Sequence, residues 1–312
     1  MVQAHRMNKI IIITGPTASG KTELSIKLAH KLNGEIISCD SMQVYKGLNI
    51  GTGKVSEKIR AEIRHYMIDI IPPNEEFSVA QFVKMCEPII DDIISRNKAP
   101  IIVGGTGLYL SGLLFGYNCG NSEKSIEIRL KYEKLLQEHG KDYLFSILRN
   151  IDPKSSKSIS INDTKRIIRA IEIFELTGQP KSSIIEKKQS SKYRYKMFVL
   201  SPERRHLYAN IDKRVDKMIS DGLTEEVKSL YRYRNCQSMQ AIGYKELIDY
   251  LDGNTTLEIA TDLIKINSRH YAKRQLTYFK HMKADKKFIE NYLPNDDDGI
   301  IIDAETFYTE DL

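Results

Sequence analysis

Cysteine is scarce in this chain of 312 residues: the four present, Cys39, Cys86, Cys119 and Cys236, lie far apart and form no C-x-x-C pair. With no histidines at ligand spacing beside them, that pattern argues against a disulfide framework and against a zinc site. Long apolar runs are missing too. The run from Ile10 to Ile13 is too short for a signal sequence, and no stretch approaches the roughly 20 residues that span a bilayer. The expectation is a cytoplasmic, reduced protein without membrane contact. Neither sign of charge dominates: the net +6 is compatible with a polyanionic partner and equally with a basic soluble enzyme, so the position of the charge has to decide.

What is present is a phosphate loop. Gly15-Pro16-Thr17-Ala18-Ser19-Gly20-Lys21-Thr22 fills the pattern G-x-x-x-x-G-K-[ST], after an apolar run and before an amphipathic stretch from Glu23 to Leu32. Glycines let the backbone close around a phosphate, and N–H groups at the following helix terminus supply partial positive charge. Lys21 neutralises outer oxygens, and the Thr22 hydroxyl suits Mg²⁺. Gly15, Thr17, Ala18, Ser19, Gly20, Lys21 and Thr22 are therefore the candidate polyphosphate ligands, with Thr22 the candidate metal ligand.

The remaining pattern is α/β, a P-loop NTPase-like parallel sheet flanked by helices. Residues 34–41 read as a short buried strand ending in polar residues, which puts Asp40 and Ser41 at its carboxyl end, the ligand side of such sheets. Residues 42–54 read as a glycine-rich loop over the same face. Further strands are expected at 65–70, 99–103 and 197–200, and a helix from the N-cap Ser78 through Ile94. The strand at 99–103 ends in Gly104-Gly105-Thr106-Gly107, where an ATP-hydrolysing relative would carry a Walker B aspartate. Asp40 is the better placed carboxylate. Residues 117–194 are charged, serine-rich and helical in pattern, and read as a small all-helical insertion between 1–116 and 195–312, with connectors at 116–121 and 189–192. The acidic tail after Asn295 reads as a loose end.

From Leu257 to about Lys280 a helix carries Lys265, Arg269, Lys273, Arg274 and Lys280 interleaved with Tyr271, Tyr278 and Phe279. Basic residues mixed with aromatics suit phosphate contacts and base stacking in structured RNA. A solvated basic face over an aromatic core has the same composition.

Six blocks occur together and in order: the phosphate loop, Asp40-Ser41-Met42-Gln43-Val44-Tyr45, Gly51-Thr52-Gly53-Lys54, Gly104-Gly105-Thr106-Gly107-Leu108-Tyr109, Ile242-Gly243-Tyr244 and Tyr271-Ala272-Lys273-Arg274-Gln275-Leu276-Thr277. Together they resemble the bacterial tRNA dimethylallyltransferases, from about Ile10 to Lys283. The resemblance implies transfer of a dimethylallyl group from its diphosphate to the adenosine 3′ of the anticodon, position 37, with the loop and Mg²⁺ holding the leaving diphosphate. It implies Asp40 as the base, Arg214 as a cation on the leaving group, and Thr106 beside the target base. The tRNA contacts it implies are Asp40, Ser41, Met42, Gln43 and Thr106; Arg129, Lys165, Arg166 and Arg169 in the insertion; Gln240, Gly243, Tyr244 and Lys245; and Lys273, Arg274, Gln275, Tyr278 and Lys280. Tyr278 stands where the family commonly has Trp, and it keeps a stacking face. The partners implied are the tRNA anticodon stem-loop and dimethylallyl diphosphate, and a monomer is expected.

Without the resemblance two other readings stand. A small-molecule kinase would bind ATP on the loop and leave the basic helix without a task. A nucleotide-dependent RNA-binding switch would give Asp40 none. An adenylate dimethylallyltransferase, sharing the first half, would need no RNA.

Overall fold

Four consecutive isoleucines offer no polar face to water, so the strand they form has to be covered on both sides. In β1 (Lys9–Thr14) all six residues are buried. The structure, a computed structural model, describes residues 9–116, 125–186 and 191–310. After β1 come α1 (Lys21–Leu32), β2 (Gly34–Ser38), α2 (Glu57–Glu62), β3 (His65–Tyr66), α3 (Val79–Ser95), β4 (Ala99–Gly104) and α4 (Gly107–Phe115). The helices α5 (Ile126–Ile151), α6 (Pro153–Ser156), α7 (Thr164–Thr177) and α8 (Lys181–Glu186) follow. The chain then runs through β5 (Arg194–Ser201), α9 (Arg204–Ser220), α10 (Leu223–Ser229), α11 (Tyr244–Leu251), α12 (Leu257–His281), β6 (Lys287–Glu290) and α13 (Asp297–Thr309).

The chain divides into two compact units, one formed by the residues up to Leu114 together with those from Lys192 onward, the other by Phe115–Ser191. The first holds a parallel sheet in the order β3-β2-β4-β1-β5-β6. Ile11, Ile13, Ile36, Ile101, Phe198 and Leu200 build one face of its core against Leu24 and Leu28 of α1 and Ile300 and Ala304 of α13. Helix α3 starts where Ser78 predicts, because Ser78 and Gln81 exchange side-chain and backbone hydrogen bonds in a capping box.

Two expectations change. The strand expected at 65–70 stops after Tyr66, since Met67 and Asp69 turn the chain with φ of 63° and 57°. The tail after Asn295 is not loose but forms α13, which packs on the core while Asp297 accepts hydrogen bonds from Lys27 and Tyr292. Its isoleucines, not its acids, decide its place.

The second unit is helical. Gly140, with φ 76°, breaks α5 so that Tyr132 on one side and Leu144 and Leu148 on the other meet Ile167, Ile168 and Ile171 of α7. Buried Asp152 accepts from the Ser155 and Ser182 backbone N–H groups at 3.0 and 2.9 Å, joining α6 to α8. Of the two connectors, residues 117–121 and 189–190 lie outside the described residues.

Gly104 brings two strand ends together. A Cβ there would stand 2.1 Å from the Cys39 carbonyl oxygen, a backbone atom that cannot give way. Gly253 has a positive φ of 76° but open space around it. Thermal unfolding should therefore rank the two alanine variants clearly: Gly253→Ala should cost about 1 kcal/mol, and Gly104→Ala several times that or folding altogether. Equal midpoints would show that β2 and β4 can separate without loss.

Candidate active site

Beyond β1 the backbone turns sharply, with φ of 145° at Gly15, 59° at Ala18 and 88° at Gly20. A Cβ on Gly15 would lie 2.5 Å from the Leu200 carbonyl oxygen, so the loop passes β5 this closely only as glycine. Helix α1 begins at Lys21, and its N-cap, Gly20, makes no side-chain capping bond. Its first N–H groups are left for a ligand.

Lys21 folds back over this loop, its Nζ donating to the Gly15 and Pro16 carbonyls at 3.1 and 2.5 Å. Its pKa is pushed down to about 7, by desolvation first and then by the Arg214 guanidinium, with Asp40 opposing. Arg214 on α9 is itself lowered by burial, again against Asp40. Its Nη2 donates to the Thr52 carbonyl at 3.4 Å.

Asp40 follows the carboxyl end of β2. Its Oδ1 accepts from the Met42 and Gln43 backbone N–H groups at 2.8 and 3.4 Å, which fixes the carboxylate at the wall of a cavity of about 830 Å³. Residues 17–22 of the loop, Asp40 to Gln43 and Arg214 all line this cavity. Behind it, Thr106 Oγ1 accepts from the Ser41 N–H at 3.1 Å.

A family model described as IPP transferase matches residues 43–282. The chain belongs to that family. It is 46% identical over 277 residues to a tRNA dimethylallyltransferase of Halalkalibacterium halodurans, covering 88% of each chain. With one from Bacillus mycoides it shares 48% over 276 residues, covering 88% of this chain and 87% of that one. Among solved structures, the tRNA isopentenylpyrophosphate transferase from Bacillus halodurans superposes with TM-score 0.70 at 43% identity, over 96% of this chain and 95% of that one. A eukaryotic dimethylallyltransferase acting on tRNA gives 0.82 at 30% identity, over 96% and 79%.

The cavity also gathers Gln240, Gly243, Lys245, Arg274 and Gln275, while Thr106, Tyr244, Lys273, Tyr278 and Lys280 lie outside its lining. Two of the expected RNA contacts turn inward. Gln275 is buried, accepting from the Thr17 N–H at 2.9 Å and donating to the Gly105 carbonyl at 3.0 Å, so its amide ties the phosphate loop to the turn after β4. Tyr244 is fully buried, and its hydroxyl donates to Glu226 at 2.6 Å. Tyr278 is half-exposed, its hydroxyl 2.8 Å from Ser111 Oγ and its ring against Gly107.

Lys273, Arg274 and Lys280 stay exposed on α12, whereas Lys265 and Arg269 pair with Asp216 and Asp212 of α9. Part of the basic helix is thus internal bracing. In the helical unit Lys165 and Arg166 are exposed, and Arg129 and Arg169 both bond the buried Glu172.

Tyr271, an aromatic of the basic helix with no site role of its own assigned from sequence, lines the cavity. It lies one turn before Arg274 and Gln275 and has its phenol pKa raised by burial and then by Asp40, with Arg274 opposing. The signal was available in its helical spacing to those two residues.

Lysine in an unfolded chain titrates near 10.4, above the value of about 7 for Lys21 in the fold. The cost of holding its charged form is therefore full below pH 7 and fades as pH rises toward the unfolded value. Lys21→Met should raise the melting temperature more at pH 6 than at pH 9.5, by roughly 2–4 °C per kcal/mol of difference. A shift of the same size at both values would contradict a desolvated Lys21.

Proposed function

We propose that this chain transfers a dimethylallyl group from dimethylallyl diphosphate to the exocyclic amine of the adenosine 3′ of the anticodon in tRNA, releasing diphosphate. The relatives' activity supports tRNA as acceptor. The observation that carries the chemistry is the sharing of one cavity by the phosphate loop, Arg214 and Asp40.

The diphosphate lies against the backbone N–H groups of residues 17–22, between Lys21 and Arg214. Breaking the allylic carbon–oxygen bond sends its electron pair onto the diphosphate, where the growing charge meets these fixed dipoles and cations. Binding the anion also returns Lys21 to its charged form.

Thr22 offers an exposed hydroxyl at the cavity, and no cluster of three His, Cys, Asp or Glu occurs among the described residues. This donor set fits Mg²⁺, a hard ion that keeps waters and takes phosphate oxygens. When bound at Thr22 it adds Lewis-acid stabilisation to the leaving group.

The exocyclic amine is a weak nucleophile because its lone pair is delocalised into the ring. Asp40, held through Oδ1, has a second oxygen with which to orient the amine and take its proton as the carbon–nitrogen bond forms. Thr106 acts one step back, by fixing Ser41. The adenosine has to leave the anticodon-loop stack, at a cost of a few kcal/mol that contacts to its neighbours offset. Ser41, Met42, Gln240, Lys245 and Arg274 serve that role at the cavity. Exposed Lys273 and Lys280, and Lys165 and Arg166 in the helical unit, serve phosphates. Gln275 and Tyr244 position the site from within.

Asp40→Asn keeps the shape and the backbone acceptor while removing the base. Transfer of labelled dimethylallyl to an unmodified anticodon stem-loop should fall by about 10²–10⁴-fold, with tRNA binding within about twofold of the parent. Loss of binding in parallel with transfer would remove Asp40 from the role of base, and labelling of AMP without RNA would replace the acceptor.

A further inference from the structure

The loop between β2 and α2 carries two of the six sequence blocks, Asp40–Tyr45 and Gly51–Lys54. Gly51-Thr52-Gly53 touches the cavity, whereas Tyr244 from the Ile-Gly-Tyr block does not. The link between them is Glu226 of α10, a residue outside every motif.

Three successive backbone N–H groups, of Asn49, Ile50 and Gly51, point at the Glu226 carboxylate with contacts of 2.9, 2.8 and 3.2 Å. Such a run of N–H groups forms a nest for an anion, and the protein fills it with its own side chain. The Tyr244 hydroxyl donates to the same carboxylate at 2.6 Å. Its ring lies so close beneath the loop that a Cβ on Gly51 would stand 2.4 Å from it. The carboxylate and the ring therefore set the height and direction of the loop together.

The next residues of the loop hold a cation. Thr52 presents its carbonyl to Arg214 Nη2 at 3.4 Å and to Gln43 Nε2 at 3.2 Å. At Gly53 a Cβ would stand 2.1 Å from Arg214 Nη2, so the bare backbone there forms a wall of the guanidinium's seat. Arg214 is thus seated by a segment whose own place depends on Glu226.

We propose that Glu226, with Tyr244, is a positioning residue that holds Arg214 in the diphosphate site through the backbone of residues 49–53. The inference rests on the prenyl-transfer reading above. Glu226 does not line the cavity, so it acts through the loop. Its removal frees three N–H groups and lets the loop drift, and Arg214 loses the geometry that matches it to charge growing on the leaving group.

The test is a double-mutant cycle of Glu226→Ala with Arg214→Ala. It is read in steady-state transfer to the stem-loop and in calorimetric binding of inorganic diphosphate with Mg²⁺. Glu226→Ala alone should lower kcat by about tenfold or more and weaken diphosphate binding, with KM for the RNA unchanged. In the Arg214→Ala background the same substitution should change either quantity by less than about twofold, since coupled residues are non-additive.

Equal effects in the two backgrounds, or wild-type diphosphate affinity in Glu226→Ala, would overturn the inference. If Glu226→Ala does not fold, Tyr244→Phe takes its place in the cycle, removing one bond to the carboxylate and keeping the ring. It should show a smaller loss that likewise vanishes without Arg214, and a persisting loss overturns the inference. A wild-type protein that binds diphosphate and transfers nothing to RNA would instead sink the prenyl-transfer reading.

Discussion

Two cations share one cavity in this protein, and neither is comfortable there. Lys21 and Arg214 are both lowered by burial, the Arg214 guanidinium further disfavours the charge on Lys21, and Asp40 opposes the shift at both. A desolvated like-charge pair raises the free energy of the empty site, and a polyanion placed between the two relieves it. Such a charge distribution favours a polyanion over a neutral or cationic ligand.

Holding such a pair requires rigid surroundings, and the surroundings are mostly backbone. The loop after β1 is pinned on one side by its approach to Leu200 and on the other by the Gln275 amide, which also grips the turn after β4. The turn after β2 is pinned by Asp40 and Thr106. In a parallel sheet these three strand ends lie side by side at the carboxyl edge, so short bonds suffice to lock them into one surface. Helix α12 brings Tyr271, Arg274 and Gln275 to the cavity, so one helix both braces the site and lines it.

Much of this was legible in the sequence where physics is local. A strand of four isoleucines, a phosphate loop in register with a helix, and Ser78 with Gln81 at a helix start are each decided by residues within a few positions of one another. Asp40 at a strand end was readable for the same reason. Where contacts come from afar, sequence reading failed. Residues 297–309 looked like an acidic tail because their charges are adjacent in sequence, while the core they cover, around α1 and β1, lies nearly the whole chain away. The resemblance implied Gln275 and Tyr244 as tRNA contacts, and each side chain also reaches a partner that only the fold brings near.

The sequence by itself determined the class of fold and the anion-binding loop, because hydrophobic periodicity and glycine's backbone freedom act over a few residues. Joined to the family resemblance, it also determined the chemistry to expect at Asp40. Only the tertiary structure decided which polar side chains face the cavity and which are spent inside, and that Glu226, anonymous in the sequence, carries the loop that seats Arg214. Hydrogen bonds between groups far apart in the chain leave no local pattern: a carboxylate that gathers three backbone N–H groups looks, in sequence, like any other glutamate on a helix.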